Sequence, residues 1–514
     1  MKVVTGETMQ RIDRRTIEEF GVPGVQLMES AGRGCAEAII ETYGGESSLA
    51  VLVVAGKGNN GGDGYVIARL LHAQGWQVRT VILAERDEIA GDARTNLDLL
   101  DPSFVTFSPL TAGLSALNAA LEWAGLVVDA LFGTGLKNEV RGTYAEAIRL
   151  INGTKKPVVA VDIPSGVHAG SGEVLGVAVQ AELTVTFALA KLGHVLYPGA
   201  EHCGVLRIVD IGIPEEVTEA AESVEFVDRQ AASLLVQRRD RRAHKGNCGH
   251  CLLIAGSTGK TGAAAMAANS AVRSGSGLVT LAVPASINAI LEVKTTEAMT
   301  LPLPDEGTGF LGDSAVAPLA GAVKGKDAIA LGPGISWNPA TVRFVRRFVA
   351  EITAPLIIDA DGLNALSEDL SVLAGKRSDA VVLTPHPGEM ARLAGMTVGD
   401  VESDRIGVAC DFAERWGVYL VLKGAHTVIA APDGRIAING SGNPGMASGG
   451  MGDVLTGVLT SLLGQGYEPF AACRLGVFIH GHAADSVAAE KGMIGMTATD
   501  VQERLPWVFN NLIT

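Results

Sequence analysis

Aromatic residues are scarce. Phe, Trp and Tyr together make up 5% of the 514 residues, too few for the stacking platforms that hold single-stranded nucleic acid. Positive charge is also in deficit: 41 Lys and Arg stand against 56 Asp and Glu, a net charge of -15. No basic field exists to draw in nucleic acid or an anionic membrane. Cysteine is sparse and scattered, at Cys35, Cys203, Cys248, Cys251, Cys410 and Cys473. That spacing excludes a disulfide scaffold and fits a reducing, cytoplasmic setting. No run of about 18 apolar residues occurs, as a spanning helix would need. Residues Met1–Glu7 lack the charged and apolar regions of a secretory signal, so none is expected.

Glycine, by contrast, is abundant. The chain has 64, well above the roughly 7% of an average protein, which points to tight turns and close backbone approaches. Hydrophobic residues reach 47%, enough for large cores, and at roughly 150 residues per domain the length suggests two to four domains. Two helical segments, about 7–20 and 24–42, open the chain. Leu49–Ala55 reads as a buried strand, Gly56–Gly64 as a glycine loop, Tyr65–Gln74 as a helix and Gln77–Leu83 as the next strand. Leu126–Asp129 and Val158–Asp162 are further apolar strands. Continuous apolar strands between helices predict a parallel sheet covered on both faces. The pattern thins after Val209–Pro214. An acidic stretch and then a basic one, Arg238–Arg242, place a domain boundary between 215 and 240. We take 1–225 and 226–514 as the domains. A second α/β series follows, with strands at Cys251–Ala255, Leu278–Val283, 327–331, 355–359, 380–384 and 418–422. A hairpin is expected about Pro432-Asp433-Gly434.

Three motifs fall short of what they resemble. Gly56-Lys57-Gly58-Asn59-Asn60-Gly61 matches a dinucleotide fingerprint, with Glu85 placed for a ribose. Asp63 would repel a pyrophosphate there, and Asn59 and Asn60 are surplus to such a loop. Gly256–Thr261 has two residues between its glycines where a phosphate loop needs four. It reads as a turn before a helix. His244, Cys248, His250 and Cys251 lack a second ligand pair for zinc and read as structural.

Three polar groups at strand ends carry more weight: Asn59–Asp63, Asp129 and Asp162-Ile163-Pro164-Ser165. Carboxyl ends of parallel strands form ligand crevices, and isolated buried carboxylates are costly. A hard cation held by Asn60, Asp129 and Ser165 would satisfy them, leaving Asp162 as a candidate acid or base. Each Asp could also cap a turn or helix, but three together favour function. In the second half, Asn443–Asp453 runs into an apolar helical face at 454, 455, 458, 459, 462 and 463. Gly449–Asp453 therefore sits at a helix start, where free amides stabilise an anion. Asp453 is a candidate catalytic base for a hydroxyl attacking a phosphoryl group. Lys423-Gly424-Ala425-His426-Thr427 follows a strand and could contact phosphates. His386, between two prolines, and Gly332-Pro333-Gly334 end two others.

Together these residues resemble the bifunctional NAD(P)H-hydrate repair enzymes. Leu27–Gly32, Gly58–Gly64 and Val161–Gly166 look like the family's epimerase domain. His244-Lys245-Gly246, Thr261-Gly262-Ala263, Thr384–Glu389 and Gly449–Asp453 look like its dehydratase domain. Met451 departs from the smaller polar residue usual there. The resemblance implies a Rossmann-like three-layer αβα epimerase domain and a ribokinase-like αβα dehydratase domain. It implies that the first interconverts the R and S epimers of hydrated NADH and NADPH. The second would dehydrate the S epimer with ADP, releasing AMP and phosphate. It further implies potassium at Asn60, Asp129 and Ser165. The hydrated nucleotide would lie on Asn59, Asn60, Gly61, Gly62, Asp63, Gly133, Thr134, Gly135, Leu136, Lys137, Asn138, Glu139 and Asp162. Magnesium would serve the dehydratase, with ADP on Lys423, Gly424, Ala425, His426, Thr427 and Gly452. Ala263, Gly334, His386 and Asp453 would face the hydrate. No nucleic-acid or membrane partner is expected, and a homo-oligomer is. The competing reading is a ribokinase-type small-molecule or vitamin kinase fused to a ligand-binding domain.

Overall fold

The computed structural model describes residues 1–44, 49–109, 111 and 113–513. The chain forms two compact units, residues 2–224 and residue 225 onward. In the first, seven parallel strands lie in the order Val105–Phe107, Gln77–Ile82, Ala50–Ala55, Leu126–Ala130, Val158–Val161, Leu183–Phe187 and Val205–Val209. The central ones are buried on both faces, as their unbroken β-branched runs demand. Helices cover both faces. Gly24–Tyr43 turns Leu27, Ala31, Cys35 and Ile39 into the core at helical spacing, and Ser115–Trp123 and Gly142–Gly153 pack the other side. The order reverses between Ala50–Ala55 and Leu126–Ala130, which opens a crevice at their carboxyl ends.

The helix expected at Tyr65 starts six residues earlier, at Asn59. Its glycines serve packing rather than a turn. A Cβ on Gly61 would lie 2.1 Å from the Gly56 carbonyl oxygen, one on Gly62 2.5 Å from Met28 Sδ, and one on Gly64 2.7 Å from Ala130 Cβ. We expect Gly61→Ala to lower the melting temperature of this unit markedly, because backbone cannot yield as a side chain can. An unchanged unfolding curve would contradict that close approach.

The second unit carries seven parallel strands in the order Met299–Leu303, Leu278–Pro284, His250–Ile254, Ala328–Leu331, Leu356–Ile358, Val381–Leu383 and Tyr419–Leu422. The antiparallel pair Val428–Ala430 and Ile436–Asn439 extends the sheet, and Val224–Val227 joins it. The long helices Met451–Gly464 and Pro469–Lys491 pack on one face with Thr261–Arg273. Pro339–Glu351 and Arg405–Trp416 pack on the other. Here the order reverses between His250–Ile254 and Ala328–Leu331. The loops after these two strands are tied together: Gly256 N donates to the Pro333 carbonyl at 2.8 Å and Ser257 Oγ to the Gly334 carbonyl at 2.7 Å. That is the work of the short phosphate-loop look-alike. Among the described residues no helix is long and apolar enough to cross a membrane.

Candidate functional site

At the carboxyl end of Val158–Val161 the chain turns sharply. Asp162 takes φ +66°, a left-handed conformation costing a non-glycine residue about 1–3 kcal/mol. Its carboxylate is held by Lys191 Nζ at 2.7 Å and Thr186 Oγ1 at 3.0 Å, and its carbonyl meets His194 Nε2 at 2.9 Å. Burial opposes ionisation of Asp162, yet Lys191, with His194 and Thr186, holds the carboxyl below its usual range. Lys191 is only 1% exposed. Asp13, Asn59, Asp63, Thr134, Asp162 and Lys191 line one cleft together with apolar Leu27, Met28, Phe187 and Ile211.

Beside this cleft Asp129 is fully buried. It accepts from Ser165 N at 2.8 Å, Ser165 Oγ at 2.7 Å and Leu131 N at 3.3 Å. Burial pushes its carboxyl up to about 6 despite those bonds. Asn60, 8% exposed, has both amide atoms buried without a hydrogen-bond partner. Orphaned buried polar atoms are rare and call for an explanation. Of the other residues singled out from the sequence, Gly61 and Gly62 are locked in helix packing. Lys137 and Glu139 are exposed and pair with Glu7 and Arg141. Gly133, Gly135, Leu136 and Asn138 form the turn after Phe132, with Leu136 N on the Gly133 carbonyl at 3.3 Å.

In the second unit Gly450 caps Met451–Gly464 at φ +95°. A Cβ there would lie 2.6 Å from Met266 Cε, so only glycine serves. Met451 turns into the core, and the first-turn amides of Met451, Gly452 and Asp453 have no intrahelical acceptors, as at any helix start. A Cβ on Gly452 would sit 3.4 Å from Lys423 Nζ. Lys423 in turn bonds Asp359 Oδ1 at 2.8 Å, and Thr456 Oγ1 bonds Asp359 Oδ2 at 2.8 Å. Burial, then the nearby charge of Asp359, pushes Asp453 up to about 7 against the pull of Lys423. Burial works against the charge of Lys423, but Asp359 and Glu389 raise it above its ordinary value.

The loop Lys423–Thr427 is pinned by Arg405, which donates to the Ala425 carbonyl at 2.6 Å and the Leu422 carbonyl at 3.2 Å. His426 sits at φ +51° and Gly424 at φ +150°. His386 caps the helix Pro387–Ala394: its Nδ1 accepts from Gly388 N at 3.0 Å while Glu389 accepts from its backbone N at 2.9 Å. Glu389 lies 3.8 Å from Lys423 Nζ, so His386 borders the same network. Gly334 abuts Ala263, whose Cβ would be 3.1 Å from a Cβ added there. Sequence reading passed over Asp359, Asp361, Lys191 and Asp13. The first two were open to the strand-end rule applied to Asp129 and Asp162, because Ile357-Ile358-Asp359-Ala360-Asp361 has the same shape. Lys191 and Asp13 carry no local signal. His250 and Cys251 bond Thr280 Oγ1 and the Thr460 carbonyl. Among the described residues no three His, Cys, Asp or Glu side chains converge on a metal position.

A parallel α/β sheet with a glycine-started helix set beside a strand-end lysine and carboxylates is the architecture of the ribokinase-like fold. In this chain it is joined to a second α/β unit with its own polar crevice. A ribokinase-like superfamily protein from Enterococcus faecalis is 25% identical with a TM-score of 0.50, over 56% of this chain and 96% of its own. Residues 251–507 match the family described as NAD(P)H-hydrate dehydratase, and residues 24–193 match that described as YjeF-related protein N-terminus. The bifunctional NAD(P)H-hydrate repair enzyme Nnr of Moorella thermoacetica is 43% identical over 100% of this chain and 97% of its own length. That of Escherichia coli is 34% identical over 99% of this chain and 94% of its own. The chain belongs to the bifunctional NAD(P)H-hydrate repair enzyme family. It is an enzyme with two activities, NAD(P)H-hydrate epimerase and NAD(P)H-hydrate dehydratase.

Proposed function

We propose that residues 1–225 carry the epimerase and residues 226–514 the dehydratase, and that the dehydratase works by phosphorylating its substrate from ADP. Hydration of dihydronicotinamide, an enamine, puts a hydroxyl on the carbon next to the ring nitrogen. Hydroxide leaves poorly and phosphate leaves well. Asp453 takes the hydroxyl proton as the oxygen attacks the terminal phosphoryl group of ADP, and AMP departs. The carbon–oxygen bond then breaks with its electron pair on phosphate, a neighbouring C–H proton is lost, and dihydronicotinamide is restored. Lys423 and the first-turn amides stabilise the charge on the transferring group, an interaction worth a few kcal/mol per donor. Lys423, Gly424, Ala425, His426, Thr427 and Gly452 hold ADP. Ala263, Gly334, His386 and Asp453 face the S epimer.

The observation that carries this reading is the approach of Gly452 to Lys423, with Asp453 next in sequence and shifted up to about 7, where a general base works best at neutral pH. Magnesium fits as an ion carried on nucleotide phosphates, the usual mode for this metal. Asp361 Oδ2 accepts from Lys260 and Ser336 N, and among the described residues Oδ1 has no hydrogen-bond partner. Bound there, magnesium would neutralise phosphate charge. Incubation with mixed hydrate epimers and ADP should return dihydronicotinamide absorbance with equal AMP and phosphate. A stable phosphorylated product would instead make the protein a small-molecule kinase.

In the epimerase, Asn59, Asp63, Thr134 and Asp162 contact the hydrated nucleotide, and the turn 133–139 borders it. The orphaned Asn60 amide, with the buried Asp129 carboxylate and its partner Ser165 at the end of the neighbouring strand, fits a potassium ion, a hard cation that takes oxygen ligands. Bound, it would supply positive charge at the crevice floor. Saturating potassium at a hundredfold its Kd should stabilise this unit by about 2.7 kcal/mol. Melting in KCl against choline chloride measures this. Asn60→Leu should abolish the difference, and equal melting of the wild type in both salts would contradict the site.

A further inference from the structure

The cleft of the first unit is lined by four carboxylates, Asp13, Asp63, Asp92 and Asp162, and one lysine, and the lysine is fully committed. Lys191 Nζ has three protons and three acceptors: Asp162 Oδ1 at 2.7 Å, Thr186 Oγ1 at 2.8 Å and the Phe187 carbonyl at 3.2 Å. Asp63 is 9% exposed. Among the described residues its carboxyl makes no hydrogen bond or ion pair, and neither does that of Asp13. They reach the cleft from different walls, Asp13 from the helix Gly6–Glu18 and Asp63 from the first turns of Asn59–Ala73. A buried carboxyl left without partners, as at Asp63, is costly, and the half-buried Asp13 faces the same cleft.

We propose that Asp13 and Asp63 are the two proton-transfer groups of the epimerase, one serving each face of the hydrated ring. This rests on the reading of the cleft as the epimerase site. One carboxyl, protonated, gives its proton to the substrate hydroxyl as the carbon–oxygen bond breaks. The bonding pair leaves with water, and the ring nitrogen lone pair closes a C=N bond in its place. Water then adds to the opposite face and gives its surplus proton to the other carboxylate. The C=N pair returns to nitrogen, and the enzyme is left poised for the reverse reaction. No oxidant, reductant or co-reactant is consumed. The electrostatics agree. Burial, then the charges of Asp162 and Asp13, holds Asp63 well above the ordinary carboxylate range. Burial, opposed by Lys191, brings Asp13 up to about 6. The other ionisable groups facing them are Asp92, Asp162 and Lys191; His194 behind them is driven down to about 4 by burial and stays neutral.

The test uses the full chain without nucleotide, so that the dehydratase is idle, and follows conversion of purified R hydrate to S by chromatography. Asp13→Asn and Asp63→Asn should each lower kcat by about 10²- to 10⁴-fold, the usual range for a lost general acid or base, with KM changed far less. Asp63→Glu should recover part of the rate. The melting temperature of each variant, with and without potassium, shows that the unit is folded. In ¹⁸O-labelled water the wild-type enzyme should put one solvent oxygen into the hydrate per inversion, which a merely structural role for these residues would not require. Either Asn variant within a few-fold of wild-type kcat, or inversion with the original oxygen retained, would overturn the proposal. If the wild-type chain failed to interconvert the epimers at all, the epimerase assignment of the cleft would fall with it.

Discussion

Asp453→Asn should abolish dehydration while making the second unit more stable. The amide keeps the shape of the side chain but cannot take a proton, so kcat should fall by about 10²- to 10⁴-fold. Stability moves the other way. Burial raises the folded Asp453 from 3.8 to about 7, so its folded form holds a proton that the unfolded chain releases. Such a group favours folding below its unfolded value and loses that contribution as pH rises through about 7. At pH 8 the wild type therefore carries a buried charge costing on the order of a few kcal/mol, which the amide lacks. The variant should melt higher than wild type at pH 8 and alike at pH 4. The kcat/KM of the wild type should rise with pH through about 7. A variant that dehydrates at the wild-type rate would remove Asp453 from the chemistry.

The second large effect is expected at Lys191. Its side chain is 1% exposed and its ammonium bridges Asp162 to Thr186 and the Phe187 carbonyl. Removing one partner of a buried pair leaves an uncompensated charge and typically costs about 3–5 kcal/mol. Lys191→Met should therefore destabilise the first unit by that order and stop epimerisation, while the second unit still dehydrates S hydrate with ADP. Given mixed epimers and ADP, the variant should restore absorbance only for the S fraction, and the R hydrate should remain unconverted. Adding Asp162→Asn should return much of the lost stability without returning activity. Full recovery of both epimers by Lys191→Met would show that the pair is dispensable.

Much of this architecture was legible because it rests on unbroken apolar runs. Val51-Leu52-Val53-Val54, Val158-Val159-Ala160-Val161 and Leu252-Leu253-Ile254 have no solvent face, so only a doubly covered parallel sheet suits them. Strands that break this rule escaped notice. Leu183–Phe187 buries Thr184 and Thr186, and Val205–Val209 is an edge with Val205 and Ile208 exposed. Met299–Leu303 is an edge strand carrying Pro302. The glycines of 58–64 looked like a loop because close helix packing and tight turning call for the same residue. Strand-end carboxylates could be found by position, and Asp359 belonged to that set. The partners that decide what each carboxylate does come from distant sequence. Lys191 meets Asp162 across 29 residues and Lys423 meets Asp359 across 64, and no local pattern reports such pairings.

In this mechanism the substrate hydroxyl attacks phosphorus. Hydrate labelled with ¹⁸O at that hydroxyl, turned over by the full-length enzyme with unlabelled ADP in ordinary water, decides it. Phosphate released with one ¹⁸O atom per dihydronicotinamide formed is the expected result. Unlabelled phosphate, with the heavy oxygen recovered in water, would contradict it.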